Sequence, residues 1–270
     1  MLFRSSSNFG PNDGTVVLVG PQLIGLSEDA EGQGHELALG VGLWQRESMP
    51  DSRWLAESAL DEAVRNCVAV GGNPCAGDAV AGIGVQWFGP RVEEDPRAAA
   101  ELVAAMEGLR DAAMALELPV LASVASFSSG IERGFAACHS IAKLVARGRS
   151  RGADFKYAGD LIYVLGPEAR SLAGSRFAER HGCADPASRR PVPNWSEARR
   201  IYSWLGGARG KEQGRLRSLH DISDGGMLAA VAEGCLARSL GAHLRMPDGL
   251  LPEAWAFAEG FHRFVVTCGE

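Results

Sequence analysis

Short apolar runs alternate with segments of helical periodicity along this chain, and that alternation limits the folds open to it. From Ser52 to Val70 apolar side chains recur every four residues, which predicts an amphipathic helix that Gly71 to Pro74 ends. A second long helix is predicted from Asp95 to Leu116. Strands are predicted at 14–19, 36–43, 79–88, 119–124, 139–149, 160–166, 216–220, 242–245 and 263–267, and shorter helices at 175–180, 196–204 and 227–238, the last with Leu228, Val231, Ala232 and Cys235 inward. Strands and helices in both halves predict an α/β or α+β layered fold.

A polar connection near residues 149–153 separates the two halves, so we predict an N-terminal domain over residues 1–152 and a C-terminal domain over 153–270.

The chain has 27 Lys and Arg residues and 33 Asp and Glu residues, a net charge of −6. This charge disfavours nucleic acid as a partner, because binding a phosphate backbone needs a basic surface. The chain carries no apolar run of about 18 residues and no secretory signal, which predicts a cytoplasmic protein without a membrane span. The six cysteines form no CxxC pair, so the sequence indicates neither a zinc site nor a disulfide framework.

The most informative segment runs from His220 to Gly226, between an apolar strand and an amphipathic helix. Its two carboxylates, Asp221 and Asp224, stand three residues apart beside two glycines at a helix start. Such a turn can hold Mg²⁺ while backbone N–H groups face phosphate oxygens. An alternative needs no ligand: Asp224 caps the helix, Asp221 favours its dipole, and the glycines form the turn. Spacing alone leaves both interpretations open.

Neighbouring residues extend this segment into a family resemblance. Residues 220–233 resemble the HD(V/L)SDGG(L)xxxxxE signature of formylglycinamidine ribonucleotide synthase. Residues 158–166 resemble that family's (P)GDLIxLLG strand, residues 172–177 its LGGSxY turn, and residues 63–74 its AARNVxxVGAxP helix. These matches fall in the family's order, and together with the flanking helices and strands they cover residues 51–268.

The resemblance implies an aminoimidazole ribonucleotide synthase-like module. Its N-terminal sheet domain would pair with another copy, and its C-terminal domain would be an α/β sandwich that stops short of the family's last helix and strand. In the family, ATP and Mg²⁺ bind between paired halves, the substrate amide oxygen is phosphorylated, and ammonia from a glutaminase displaces the phosphate. The resemblance therefore implies an ATP-dependent C–N ligase of purine biosynthesis that acts as a homodimer, or with a partner synthetase half and a glutaminase subunit.

Site residues follow from the same resemblance. It implies that His220 is catalytic and that the metal ligands are Asp221, Asp224 and Asp78. It also implies a set of nucleotide or phosphate contacts at the two glycine turns, namely Gly174, Ser175, Ser223, Gly225 and Gly226.

Two departures from the family pattern favour a different role. The segment from Ala38 to Gly42 offers no acid where the family presents a carboxylate strand, and Val124 stands where the family has an asparagine. Mg²⁺ prefers near-octahedral oxygen ligation, so part of its shell is missing from these segments. The alternative is a catalytically degenerate half that binds a nucleotide structurally, or serves only assembly.

Overall fold

The computed structural model describes residues 2–3, 13–19, 35–44, 51–75, 81–93, 95–144, 150–182, 190–207 and 215–269. Its larger sheet has six strands in the order β1-β2-β3-β6-β4-β5. The β4–β5 pair is parallel and the other four pairs are antiparallel. The strands are β1 (Leu2–Phe3), β2 (Gly14–Val19), β3 (His35–Trp44), β4 (Ala81–Gly89), β5 (Val120–Phe127) and β6 (Phe135–Lys143).

Two long helices, α1 (Ser52–Ala69) and α2 (Pro96–Leu116), pack with this sheet. Asp51 caps α1 by accepting a hydrogen bond from the Trp54 amide, and Asp95 caps α2 through the Arg97 amide. Almost every side chain of α1 is buried, because the helix lies against β3, β6, α2 and the second sheet. This central position of α1 brings its polar side chains to the candidate site.

The second sheet has three antiparallel strands in the order β7-β9-β8. Its strands are β7 (Leu161–Leu165), β8 (Leu216–Asp221) and β9 (Phe264–Cys268), and its helices are α3 (Arg176–His181), α4 (Trp195–Gly207), α5 (Gly226–Leu236) and α6 (Pro252–Phe257). Tyr202 of α4 and Phe264 of β9 join one buried cluster with α1, while Val265 packs on the opposite face with Met227 and Val231 of α5. One apolar core therefore spans both sheets, and the predicted division at residue 152 stays a prediction.

The predicted α/β architecture and both long helices are confirmed. The strand predicted at 139–149 agrees with β6 up to Lys143, but β6 begins earlier, at Phe135. Residues 145–149 of that prediction lie outside the described residues. The strand predicted at 242–245 is wrong, because these residues form no regular element and His243 and Arg245 are exposed. Of the side chains predicted to face inward on α5, Val231 is buried and Cys235 packs against the same cluster, but Ala232 is exposed, and Met227 and Ala230 are also buried.

Within the residues that the structure describes, no helix is both long and apolar enough to cross a membrane.

Candidate functional site

The segment from His220 to Gly226 forms the corner between β8 and α5. Strand β8 ends at Asp221, and α5 begins at Gly226 after a residue with φ of 86°, Gly225. No side chain caps α5, so the interpretation of Asp224 as a helix cap is wrong. Asp224 Oδ2 instead accepts a hydrogen bond of 3.0 Å from Nε of Arg176, the first residue of α3. The two predicted acids therefore have different surroundings, with Asp221 buried and Asp224 exposed at the rim.

Asp13, which directly precedes β2, meets this corner. Its Oδ2 accepts a hydrogen bond of 3.0 Å from the Asp221 amide, and its Oδ1 lies 2.6 Å from Nδ1 of His220. Asp13, His220 and Asp221 each offer one ligand atom, and these atoms lie within 4.8 Å of one another, close enough to share a cation. Oδ2 of Asp221 is buried and has no hydrogen-bond partner. A buried carboxylate oxygen that accepts no hydrogen bond fits a hard divalent cation, so the two carboxylates, Asp13 and Asp221, suit Mg²⁺.

Both ring nitrogens of His220 have acidic partners. Nε2 lies 2.8 Å from Oε2 of Glu233 on α5, while Nδ1 faces Asp13. Burial lowers the pKa of His220, but the hydrogen bonds with Asp13 and Glu233 outweigh it and raise the pKa to about 10. The imidazolium is therefore a buried positive charge that holds two acidic side chains.

Arg65 of α1 links this corner to a second buried carboxylate. Its Nη2 lies 3.4 Å from Oδ2 of Asp221, and its Nη1 lies 3.1 Å from Oδ2 of Asp61. Nη1 also donates a hydrogen bond of 2.8 Å to the Gly260 carbonyl. Burial and the Asp13 charge raise the pKa of Asp221 to about 6, although Arg65 and His220 oppose that rise. The Arg65 guanidinium therefore favours the ionised form that a cation needs.

Asp61 anchors Arg65 within a fully buried network. The Asn194 amide donates to Nε2 of His262 at 3.1 Å, so Nδ1 of that ring carries the proton and donates to Oδ1 of Asp61 at 2.5 Å. The Tyr202 hydroxyl also donates to Asp61. Burial raises the pKa of Asp61, but the nearby charges and hydrogen bonds, His262 first, lower it to about 2. An ionised Asp61 therefore fixes the guanidinium that faces Asp221.

Glu62 and Asn66, one turn apart on α1, are functional candidates that the sequence analysis did not single out. Oε2 of Glu62 accepts a hydrogen bond of 3.0 Å from the Leu43 amide, and burial, with Asp221 and Asp224 contributing, raises its pKa to about 7. Nδ2 of Asn66 donates to the Val41 carbonyl at 2.7 Å, whereas its buried Oδ1 has no hydrogen-bond partner. Asn66 belongs to the helix motif quoted above, so the sequence carried a signal for it. For Asp13 the sequence carries no sign of function, since it shows only an acidic residue immediately before a predicted strand.

The predicted phosphate-binding turns lie together at the other side of the corner. Gly174 has φ of 85°, and Oγ of Ser175 accepts from the Ala178 amide at 3.1 Å while it donates to the Leu172 carbonyl at 2.7 Å. The amides of Arg176 and Gly225 both donate to the buried carboxylate of Glu259, described below. Asp78 lies outside the described residues.

The absence of an acid between Ala38 and Gly42 of β3 has a steric counterpart. A Cβ placed on Gly42 would lie 2.0 Å from the Ala59 carbonyl oxygen of α1, and one on Gly40 would lie 2.2 Å from the Ala63 carbonyl oxygen. Helix α1 thus packs directly on the β3 backbone, in the place that a side chain would need. Val124 is 53% exposed on the edge strand β5.

Comparisons with known proteins agree with this fold. A family model described as AIR synthase related protein, C-terminal domain, matches residues 157–262. The PurL subunit of phosphoribosylformylglycinamidine synthase from Rhodopseudomonas palustris (strain BisB18) is 31% identical over 236 residues, which cover 86% of this chain and 31% of that relative. T. maritima PurL complexed with FGAR gives a TM-score of 0.69 at 17% identity, covering 87% of this chain and 38% of that chain. T. maritima PurL complexed with ADP gives 0.67 at 17% identity, covering 98% and 39%.

The chain therefore has the AIR synthase-like fold that the sequence predicted. The predicted resemblance to formylglycinamidine ribonucleotide synthase is confirmed, and the relative that carries it is the PurL subunit. The chain spans about a third of the length of the curated relatives it matches.

Proposed function

We propose that this chain is a synthetase half of a formylglycinamidine ribonucleotide synthase-like enzyme, an ATP-dependent C–N ligase of cytoplasmic purine biosynthesis. The observation that carries the proposal is the meeting of the Asp13 and Asp221 carboxylates beside His220, at the corner between β8 and α5, where the buried Oδ2 of Asp221 accepts no hydrogen bond and faces the Arg65 guanidinium at 3.4 Å. Sequence similarity to PurL over 86% of the chain, and the fold shared with PurL complexed with ADP, support the same conclusion.

Asp13 and Asp221 are the residues that would hold Mg²⁺ here, with Asp224 near the rim and Asp78 a further candidate. When bound, the cation supplies charge neutralisation for the polyphosphate during transfer to the amide oxygen. Two basic side chains position the carboxylates that would bind the cation. Arg65 holds Asp221 from the protein side, and His220 holds Asp13 in the same cluster.

In this proposal His220 orients neighbouring acidic side chains and does not transfer a proton. Both its nitrogens are engaged and its pKa is raised to about 10, so it keeps its proton at neutral pH instead of exchanging it with a substrate. Its catalytic assignment stays a prediction, and orienting Asp13 and Glu233 is the chemistry that the geometry supports best.

The rim of the corner offers a side chain for nucleotide phosphates. Arg176 is half-exposed and pairs with both Asp224 and Glu179. A guanidinium in this position can turn from a carboxylate to a phosphate, since it presents five donors in a planar fork. Ser223 stands in the turn between Asp221 and Asp224, and its side chain hydrogen-bonds Asp221.

The open face of the larger sheet indicates how a partner half would bind. Leu39, Val41 and Leu43 alternate along β3 and are 36%, 52% and 54% exposed, whereas the residues between them face α1. An apolar row of this kind marks an association surface. We propose that it pairs with a second copy or with the other synthetase half, and that a glutaminase subunit supplies ammonia to the assembly.

A second candidate function is a half that binds nucleotide without turnover. The packing of α1 against Gly40 and Gly42 favours it, because neither of these two β3 positions has room for a carboxylate side chain. Both candidates require a cation at Asp221, and they differ in whether substrate is consumed.

Isothermal titration with ADP and Mg²⁺ tests the shared claim. Wild type should bind ADP only with the cation, and Asp221→Asn should weaken binding by at least about tenfold, because one ligand loses its charge. Asp248→Asn, at an exposed acid away from the corner, is the matched control and should bind like wild type.

The absence of heat in the wild-type titration, or equal affinities for wild type and Asp221→Asn, would overturn the proposal.

A second experiment separates the two candidate functions. It measures phosphate release from ATP in the presence of formylglycinamide ribonucleotide and ammonium. Turnover in the presence of a partner half supports the ligase, and binding without turnover supports the structural role.

A further inference from the structure

The carboxylate of Glu259 occupies the point where the two predicted phosphate-binding turns meet. Its Oε1 accepts a hydrogen bond of 2.9 Å from the Arg176 amide and one of 2.8 Å from the Gly225 amide. Glu259 is 2% exposed and follows α6 by two residues. Two backbone segments 49 positions apart in the sequence therefore converge on one buried carboxyl group.

The glycines of the corner are explained by this internal partner. Gly226 has φ of 71°, and a Cβ there would lie 2.7 Å from the carbonyl carbon of Phe257. Any larger residue would push α6 and the following segment away from the turn, and with them the Glu259 carboxylate. The close approach of residues 256–259 thus requires the same glycine that the sequence analysis assigned to phosphate.

The other predicted phosphate-binding turn, at Gly174 and Ser175, also uses hydrogen-bond donors within the protein. Oγ of Ser175 is used inside its own turn, where it caps α3 and donates to the Leu172 carbonyl. The next amide, that of Arg176, donates to Glu259. The donors already paired within the protein are therefore the Ser175 hydroxyl and the amides of Ser175, Arg176, Gly225 and Gly226.

We propose that the Glu259 carboxyl group is the resident hydrogen-bond acceptor of these two turns and a positioning residue for the Arg176–Asp224 pair at the rim of the site. By holding the Arg176 and Gly225 amides together, it fixes the two segments whose side chains form that pair, at 3.0 Å. Nucleotide phosphates are then expected at the cation side of the corner, near Asp13 and Asp221, and not on the glycine turns. That last point rests on the proposed function, whereas the role of Glu259 does not.

Anion rescue tests the role of Glu259 without any nucleotide. Glu259→Ala leaves two buried amides without an acceptor, so its melting temperature should fall by several degrees. Sodium sulfate should restore more of that loss than sodium chloride at equal ionic strength, because sulfate can accept both hydrogen bonds. Wild type and Glu253→Ala, at an exposed acid of α6, should show only the smaller general effect of sulfate.

Amide exchange measured by NMR gives a second readout. Protection of Arg176 and Gly225 should be lost in Glu259→Ala and kept in Glu259→Gln, whose side-chain oxygen accepts the same bonds. Equal stabilisation of wild type and Glu259→Ala by sulfate, or unchanged protection at both amides in Glu259→Ala, would overturn the proposal. If Glu259→Ala does not fold, Glu259→Gln decides: retained protection supports the proposal and lost protection contradicts it. A normal Mg²⁺·ADP affinity has no bearing on this result, so the two proposals fail separately.

Discussion

Nη2 of Arg65 lies 3.4 Å from Oδ2 of Asp221, and these two side chains are 1% and 5% exposed. Because both are buried, neither charge is solvated by bulk water, and each depends on the other and on Asp61. We expect Arg65→Met to reduce the free energy of unfolding by about 3–5 kcal/mol, since it leaves carboxylates buried without their cation. Urea unfolding monitored by tryptophan fluorescence measures this loss.

Arg97→Met is the matched control for that substitution. Arg97 stands exposed in the first turn of α2, so its loss should change the free energy of unfolding by less than about 0.5 kcal/mol. Similar losses in the free energy of unfolding for the two substitutions would show that Arg65 stabilises the fold no more than an exposed arginine does.

His220 should remain protonated throughout the neutral range. Its folded pKa of about 10 lies above the ordinary 6.5, so its contribution to stability is complete below pH 6.5 and disappears as pH rises through 10. The ¹⁵N shifts of the His220 ring should report an imidazolium from pH 6 to pH 8. A neutral His220 ring at pH 7 would contradict this prediction.

The contact between β3 and α1 predicts a sharp difference between two glycines of one sheet. Gly42→Ala should cost about 3 kcal/mol, because its Cβ would lie 2.0 Å from the Ala59 carbonyl oxygen. Gly84→Ala on β4 should cost less than about 1 kcal/mol, since its nearest neighbour is an His139 side-chain atom at 3.9 Å. Thermal unfolding of both variants measures the difference. Equal costs would mean that α1 can move away from β3 and make room for a side chain.

Sedimentation velocity tests the association surface on β3. Val41→Glu should convert a wild-type dimer to a monomer, because a charge would be buried between the paired sheets. Val103→Glu on α2 is the control, with 56% exposure against 52% for Val41. Wild type that stays monomeric at every concentration, or two variants that behave alike, would remove this surface from the account.

Local sequence signals predicted the elements whose periodicity agrees with their packing. In α1, Leu55, Ala59, Ala63 and Cys67 are all buried, as the four-residue spacing predicts. The strand predicted at 242–245 fails because alternation in so short a run does not secure a neighbouring strand, and strand formation depends on that pairing. The inward face of α5 was misplaced for a related reason, since β9 and Phe155 decide which side of the helix is buried.

The candidate site was predicted in part. The spacing and neighbours of Asp221 and Asp224 marked the β8–α5 corner from the sequence. Asp13 could not be placed there, because it lies 208 positions from Asp221 and only the tertiary fold joins their hydrogen-bonded atoms. Glu259 was missed for the same reason, since a lone acid after a short helix gives no local sign that it meets two distant turns.

The most direct test of the central claim is the position of a divalent cation in the folded chain. Crystals grown with ADP and Mn²⁺, which scatters anomalously, should give an anomalous peak within about 2.5 Å of carboxylate oxygens of Asp13 and Asp221. Bound ADP with its ion remote from both carboxylates, or crystals saturated with Mn²⁺ that show no ion at this corner, would contradict the account.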